Sequence, residues 1–426
     1  MAGIHLHPHD ILDEGMDAIL QRIDGMQSVE HLFVELNTIF ERNPYPTGAL
    51  PHNPVHDSVM GNGMLHVNIY SGDARIQQSI DPGVLAGDDP LLAVKHATEG
   101  THFKVIPWVN ILNGDFAGDV KSNHVIDYRG RIIKYWLCPN APDVTDYWQK
   151  TFSRIKERYG YDTFLIDRIR FPDWAGKEVN PAGLFTCFCP HCQNAMKEQG
   201  IDPQAVKAEL ETLSDALADG NFDVPVEAFR NNPLIARWIA FRQQSVTGLV
   251  ERILKQAKEN IGDIHFWLDL WPPAWSWILG QDYHALTRHA DTLKHFPYHK
   301  LGGGADVQGL VNFFAGDEDT QELAFSAVKK LFDLPYDLTY ADFKRSGFPI
   351  RFVKEQNDRV RQLSQPGTFI FSGIQMWNLP PDELLDAVHA AKASACDDLL
   401  YYCYGWADQA LFDAIGEEEK NKGAEQ

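Results

Sequence analysis

The sequence is poor in cysteine and in positive charge, and it has no long apolar run. Six cysteines in 426 residues are too few for the disulfide scaffold that holds small secreted domains together. Lys and Arg number 38 against 59 Asp and Glu, a formal net charge of −21. A phosphate backbone or an anionic membrane surface repels such a chain, so neither nucleic acid nor membrane is an expected partner. No window approaches the roughly 18 apolar residues that a bilayer span needs. No secretory leader is evident either, because Met1 runs within two residues into Gly3-Ile-His-Leu-His7, which reads as a strand. A cytoplasmic location is expected, with secretion the alternative if a leader has been removed. Internal repeats and low-complexity tracts are also lacking. What is abundant is apolar (44%) and aromatic (12%, with 11 Trp), enough to bury a large core and to exclude wholesale disorder.

Short apolar runs alternate with helical stretches, the pattern of a parallel sheet with crossover helices. Eight runs read as strands: Gly3–His7, His31–Glu35, Phe103–Val109, Thr163–Asp167, His265–Leu270, Thr292–Tyr298, Thr368–Gln375 and Asp398–Tyr404. Helices are predicted at 14–26, 91–97, 144–159, 233–260, 283–289, 321–332, 351–363 and 381–393. Eight strand–helix units predict an α/β fold, a (β/α)8 TIM barrel over residues 1–415 with a short, charged, frayed tail at 416–426. About 250 residues suffice for such a barrel, so the surplus goes into long loops. Two insertions stand out, 36–101 after the second strand and 168–232 after the fourth, the latter with an acidic helix near 205–219. Loops after the C-terminal strand ends build the active site of a barrel, so both insertions are expected to overhang it.

The chemistry concentrates at those strand ends. In Thr163-Phe-Leu-Ile-Asp-Arg-Ile-Arg-Phe-Pro172 a buried strand gives way abruptly to Asp167, Arg168 and Arg170. A carboxylate at a barrel mouth serves as nucleophile or general acid/base, and adjacent arginines hold it ionised. The same residues also suit a structural ion pair closing the barrel top. Asp269 ends the fifth strand, crowded by Trp267, Trp271, Trp275 and Trp277. Pyranose rings pack their apolar faces on indole, and buried carboxylates act as acid and base, although tryptophans also serve as plain core. Asp167 and Asp269 are therefore the expected catalytic pair, with Glu35 the third carboxylate to test. Asn37, Trp108, Asn110, Tyr298, His299, Gln375, Trp377, Tyr404 and Trp406 fall at other predicted strand ends. With Arg168, Arg170 and Trp271 they read as a ring of hydrogen-bonding and stacking groups for a carbohydrate. No organic cofactor is expected, and the sequence leaves a homo-oligomer open.

His5 and His7 share one face of the first strand. The pair resembles the metal-binding HxH of amidohydrolases, which also need histidines or a bridging carboxylate at later strand ends. Here His299 and Asp408 are what is left to complete such a set. His7 is read as a substrate contact, and a metal-dependent hydrolase or lyase using His5 and His7 is kept as an alternative. Cys187-Phe-Cys189-Pro-His-Cys192 offers three thiolates, and Cys138 or His191 would complete a tetrahedral structural zinc site.

Several segments resemble a broad group of bacterial glycosyl hydrolase-like barrels. They are Leu137-Cys-Pro-Asn140, Tyr159 through Pro172, Trp238-Ile-Ala-Phe-Arg242, Leu268-Asp-Leu-Trp-Pro-Pro273, Gly280-Gln-Asp-Tyr283, Ala290-Asp-Thr-Leu-Lys294, Pro297-Tyr-His299 and Gly373-Ile-Gln-Met-Trp377. The resemblance implies a (β/α)8 barrel acting on a carbohydrate, with Asp167 as its catalytic carboxylate. The cysteine cluster is similar to the zinc cluster of family 42 β-galactosidases. That family uses glutamates after strands four and seven, where this chain has Asp167 and Gln375. Asp269 rests on its position and not on the resemblance. The leading expectation is an exo-acting glycoside hydrolase on a small glycoside or oligosaccharide. The alternative outside catalysis is a carbohydrate-binding barrel.

Overall fold

Eight parallel strands close on themselves in the computed structural model, which describes residues 2–39, 49–58, 61–174, 181–302 and 305–425. They are β1 (Ala2–Leu6), β2 (Val29–Glu35), β3 (Lys104–Asn110), β4 (Thr163–Asp167), β5 (His265–Leu270), β6 (Thr292–His295), β7 (Phe369–Gln375) and β8 (Asp398–Tyr402). Each pairs in parallel with its sequence neighbours, and β1 closes the ring by pairing with both β2 and β8. The fold is thus the expected (β/α)8 TIM barrel. Residues 40–48 and 59–60 of the first insertion and 175–180 of the second lie outside the described residues, as do Met1 and Gln426.

Strands buried on both faces read as continuous apolar runs, and alternation divides each between interior and helix layer. In β4, Leu165 points into the barrel, where it packs with Phe33, Ile106, Trp108, Phe371 and Leu400. Gly3 makes room for this layer, since a Cβ there would fall 2.5 Å from the Phe33 ring. Phe164 faces outward and meets Phe152 of the helix Pro142–Tyr159 at 4.7 Å between ring centroids. That helix starts on Pro142 and stops at Gly160, whose φ of 82° suits glycine. Ile106→Val removes one methylene from the interior layer and is expected to cost about 0.5–1.5 kcal/mol. Denaturant unfolding of the two proteins checks this, and an unchanged midpoint would show that the interior is loosely packed.

The boundaries depart from expectation where the chain turns. β6 stops at His295 and not at Tyr298, two residues before Pro297, which has no N–H to offer a ladder. β8 stops at Tyr402, followed by the 3-10 turn Tyr404–Trp406. A third long excursion follows β6 and carries the helices Gln308–Ala315, Gln321–Leu331 and Tyr340–Ser346 before the crossover helix Arg351–Leu363. The helix Gln409–Glu425 runs through the segment expected to fray. Gly416, where that segment begins, is a point of close approach: a Cβ there would lie 2.2 Å from the Gly25 carbonyl oxygen. Among the described residues no helix is long and apolar enough to cross a membrane.

Candidate active site

Strand register assembles the site at the C-terminal mouth. Pairing sets Glu35 opposite Trp108, Asn110 opposite Asp167, and Asp269 opposite Lys294. Above them opens a cleft with ≈ 410 Å³ of empty space, its mouth included, lined by Ile39, Trp108, Asp167, Arg168, Arg170, Asp269, Trp271, Lys294, Phe296, Tyr298, Ala305 and Tyr402. A larger hollow of ≈ 730 Å³ touches His265 and Thr368, at the opposite ends of the strands. Barrel enzymes place their chemistry at the C-terminal face, so the smaller cleft is the candidate.

Asp167 is held by a buried charge network. Its Oδ1 accepts from the Arg168 backbone N–H at 2.5 Å and from Arg170 Nη1 at 2.9 Å. Arg170 Nε and Arg168 Nη1 both donate to Asp173 Oδ2, at 2.8 and 3.0 Å. Burial alone would raise the Asp167 carboxyl, but the charges of Arg170 and Arg168 hold it below the usual aspartate value. Arg168 has a φ of 53°, a left-handed conformation that costs a non-glycine residue about 1–3 kcal/mol and is common where function fixes geometry. The Arg170 guanidinium lies 5.0 Å over the Trp271 ring, tying the network to the aromatic wall.

Asp269 has the opposite environment. Burial drives its carboxyl up, Lys294 opposes, and the charge of Asp167 adds to the rise, leaving it at about 7. Lys294 Nζ stands 3.1 Å from both carboxylate oxygens and is itself pulled down by burial. Phe296 cages the ammonium at 4.4 Å and Tyr402 at 5.2 Å from their ring centroids. Glu35 lies just behind the cleft. Its carboxyl is pushed up to about 7 by burial, against His7 and a 3.0 Å hydrogen bond from Asn110 Nδ2.

The expected ring therefore divides into wall and support. Trp108, Trp271 and Tyr298 line the cleft with Tyr402, which stacks on Tyr298 at 5.8 Å. Trp377 and Trp406 stand behind, edge-on to Tyr298 at 4.8 Å and to Tyr402 at 5.3 Å. Asn37 and Asn110 do not line the cleft. They clamp each other, Asn37 donating to the Asn110 carbonyl (2.7 Å) and accepting from its N–H (2.8 Å), and so steady Glu35. Gln375 accepts from the Lys300 N–H at 2.9 Å and donates to the Trp377 carbonyl at 3.1 Å, fastening the loop after β6. His299 is buried away from the cleft, its carbonyl accepting from the Phe348 N–H at 2.7 Å. Tyr404 is turned away by its 3-10 turn, and its hydroxyl meets Arg22 and Glu14. Sequence reasoning missed Lys294, Phe296 and Tyr402. No local signal marked Lys294, whose meaning comes from the register that sets it opposite Asp269.

His5 and His7 part company. The His5 ring is buried against Trp108 at 4.5 Å and Tyr402 at 5.1 Å, with neither nitrogen hydrogen-bonded, and burial holds its pKa well below the usual value. His7 turns toward Glu35 and Asp10. Among the described residues, the histidine group able to hold a metal ion takes His7 with His9 and Asp10 and leaves His5 out, so an HxH metal pair of the amidohydrolase type is not formed.

Cys138, Cys187, Cys189 and Cys192 are buried free thiols whose sulfurs all lie within 4.8 Å of one another, a group able to hold a metal ion. His191 is not part of it. Backbone N–H groups of Asn140, Cys189 and Cys192 point at the sulfurs at 3.3–3.4 Å, as thiolates require. Arg242 is fully buried close by, with Nε and Nη2 lacking hydrogen-bond partners. Burial lowers its pKa to about 9 while Cys187 and Cys192 oppose the shift, so the guanidinium is a counter-charge for the sulfurs.

No sequence-family model matches the chain, and no curated protein does. Solved structures of similar shape include the catalytic domain of β-amylase from Paenibacillus polymyxa. It has a TM-score of 0.52 and 10% identity over 99% of this chain and 98% of that one. The β-galactosidase from the psychrophilic Marinomonas ef1 has a TM-score of 0.54 and 10% identity over 100% of this chain and 60% of that one. The β-galactosidase from the Antarctic haloarchaeon Halorubrum lacusprofundi has a TM-score of 0.54 and 12% identity over 98% and 57%. The chain thus spans under two thirds of either galactosidase. At these identities the likeness establishes that the barrel is of the shape these glycoside hydrolases use.

Proposed function

We propose that the chain is a glycoside hydrolase in which Asp167 is the nucleophile or general base and Asp269 the general acid. Glu35 is a further carboxyl able to carry a proton near neutrality. One observation carries the reading: in a single aromatic cleft, one carboxyl is held ionised by two arginines while its neighbour's is raised to about 7. Glycosidic hydrolysis needs that division, an acid to protonate the leaving oxygen and a carboxylate to attack the anomeric carbon or deprotonate water. Trp108, Trp271, Tyr298 and Tyr402 offer apolar faces to a pyranose ring. Arg168 and Arg170 are matched by Asp173 and Asp167, while Lys294 faces Asp269, which must carry its proton to act as the acid. The modest volume of the cleft favours exo-attack on a short glycoside. The four cysteines form a structural zinc site with no open position. Zinc–sulfur bonds of about 2.3 Å place tetrahedral sulfurs about 3.8 Å apart, close to the 3.4 Å of Cys138 to Cys189 and Cys192.

The pH profile on aryl glycosides tests the acid. The folded pKa of Asp269 lies above its ordinary 3.8, so the proton-donating form persists up to about pH 7 and is lost above it. Wild-type kcat/KM is expected to fall as pH rises through about 7. Asp269→Asn is expected to lose that alkaline limb and about 10²–10⁴-fold in rate on substrates with poor leaving groups. Unchanged turnover in Asp269→Asn sinks the assignment. The second reading, a carbohydrate-binding barrel without turnover, is favoured by the Lys294–Asp269 pair, because a carboxylate fixed in an ion pair donates no proton. Tight sugar binding by calorimetry with no turnover across the panel would establish it.

A further inference from the structure

The turn after β1 brings together three buried metal-type ligand atoms. His7 Nδ1, His9 Nε2 and Asp10 Oδ1 are each buried and lack a hydrogen-bond partner. The ligand atoms of these three residues lie within 4.8 Å of one another. Leaving two imidazole nitrogens and a carboxylate oxygen buried and unpaired is costly, and one cation satisfies all three. The spacing suits it: His9 Nε2 is 3.6 Å from Asp10 Oδ1, and His7 Nδ1 lies 3.7 Å from the other oxygen of the same carboxylate, within the common 4.8 Å. A tetrahedral ion with bonds of about 2.0–2.1 Å holds its ligand atoms about 3.3–3.4 Å apart.

Local structure presets this arrangement. The helix Pro8–Glu14 begins with a capping box in which Asp10 Oδ2 accepts from the His7 backbone N–H at 2.8 Å, leaving Oδ1 free. The His7 and His9 rings stack at 5.3 Å with an interplanar angle of 14°. Gly405 keeps the space open, since a Cβ there would fall 2.3 Å from Asp10 Oδ1. On the far side of His7, Nε2 faces Glu35 Oε2 at 3.9 Å. A carboxylate behind a ligating imidazole fixes its tautomer and orientation.

We propose that His7, His9 and Asp10 form a metal site for a borderline divalent transition ion such as Zn²⁺, separate from the cysteine cluster and independent of the glycosidase reading. Two nitrogen donors among three ligands disfavour Ca²⁺ and Mg²⁺, which take oxygen. Three protein ligands leave room for a water in the coordination shell. The site shares His7 with the Glu35 side of the barrel mouth, so the ion sets the orientation of the imidazole that Glu35 faces.

The probe is Co²⁺ added to the full-length chain as purified, followed by metal analysis after equilibrium dialysis and by visible absorption. The expected result is uptake of an ion whose d–d bands come without the sulfur-to-metal charge transfer of thiolate ligation. His9→Gln and Asp10→Asn each weaken that uptake by about 100-fold or more, and Glu35→Gln weakens it by about 10-fold. His9 is the more exposed ligand, so its substitution perturbs the fold least, and thermal melts followed by circular dichroism verify folding. If cobalt-saturated wild-type chain holds only thiolate-bound ion, or if neither ligand substitution alters uptake, the proposal is overturned.

Discussion

Asp167→Asn is expected to lower kcat/KM on any aryl glycoside the wild-type protein hydrolyses by about 10³-fold or more, mainly in kcat. The substitution keeps the shape of the side chain and an acceptor oxygen for the Arg168 N–H and Arg170 Nη1. In the proposed mechanism it removes the negative charge that would attack the sugar or take a proton from water. Asp173 still accepts from both arginines, so neither guanidinium is stranded. That distinguishes this change from breaking an isolated buried ion pair, which costs about 3–5 kcal/mol. A modest fall in melting temperature with a large fall in kcat is therefore the expected combination. Calorimetric sugar affinity within a few-fold of wild type would show that the cleft survives. Retention of a tenth or more of wild-type turnover would remove Asp167 from the chemistry and leave it as a clasp for the barrel mouth.

The parts of this site that sequence made legible are those where polarity interrupts an apolar run. Asp167 follows three buried residues and Asp269 a largely buried Phe266-Trp-Leu268, and a charge at such a place needs a reason. Trp108 and Trp271 were legible for the same reason, as aromatics beside strand-terminal polar groups. Lys294 was not. Its segment, Thr292-Leu-Lys-His295, looks half polar, and what gives the lysine meaning is the register that sets it opposite Asp269. Register between neighbouring strands depends on how the whole ring closes, which no local window contains. Tyr404 failed in the opposite sense, because the chain leaves β8 at Tyr402 and a 3-10 turn carries the next tyrosine outward to Arg22 and Glu14. Fold class survived these local errors because hydrophobic alternation across eight strands is redundant, whereas side-chain direction after a strand end hangs on one or two backbone torsions.

Cys192→Ser is expected to abolish zinc binding at the cysteine cluster and to destabilise the protein by about 5 kcal/mol or more. The reason lies in what the cluster holds together. Cys138 follows Leu137, Cys187 and Cys189 precede the helix Pro190–Glu198, Cys192 lies within that helix, and Arg242, which feels the charge of Cys187 and Cys192, stands on the long helix Pro233–Ile261. Two protein segments far apart in sequence are thus pinned against a third. Without the ion, burial pushes the Cys138 thiol up toward its protonated form, and the fully buried Arg242 guanidinium loses counter-charge from the sulfurs. Breaking such a compensation costs more than the lost metal bonds alone, because a charge remains in the interior. Metal analysis of zinc-saturated protein is expected to show a thiolate-bound ion, and chelation is expected to lower the denaturant midpoint as the serine substitution does. Arg242→Met separates the two contributions: it leaves the sulfurs in place, weakens zinc affinity through loss of the positive charge, and makes the metal-free protein less sensitive to further cysteine substitution. A Cys192→Ser protein as stable as wild type, with no thiolate-bound metal in either, would reduce the cluster to a set of buried reduced thiols.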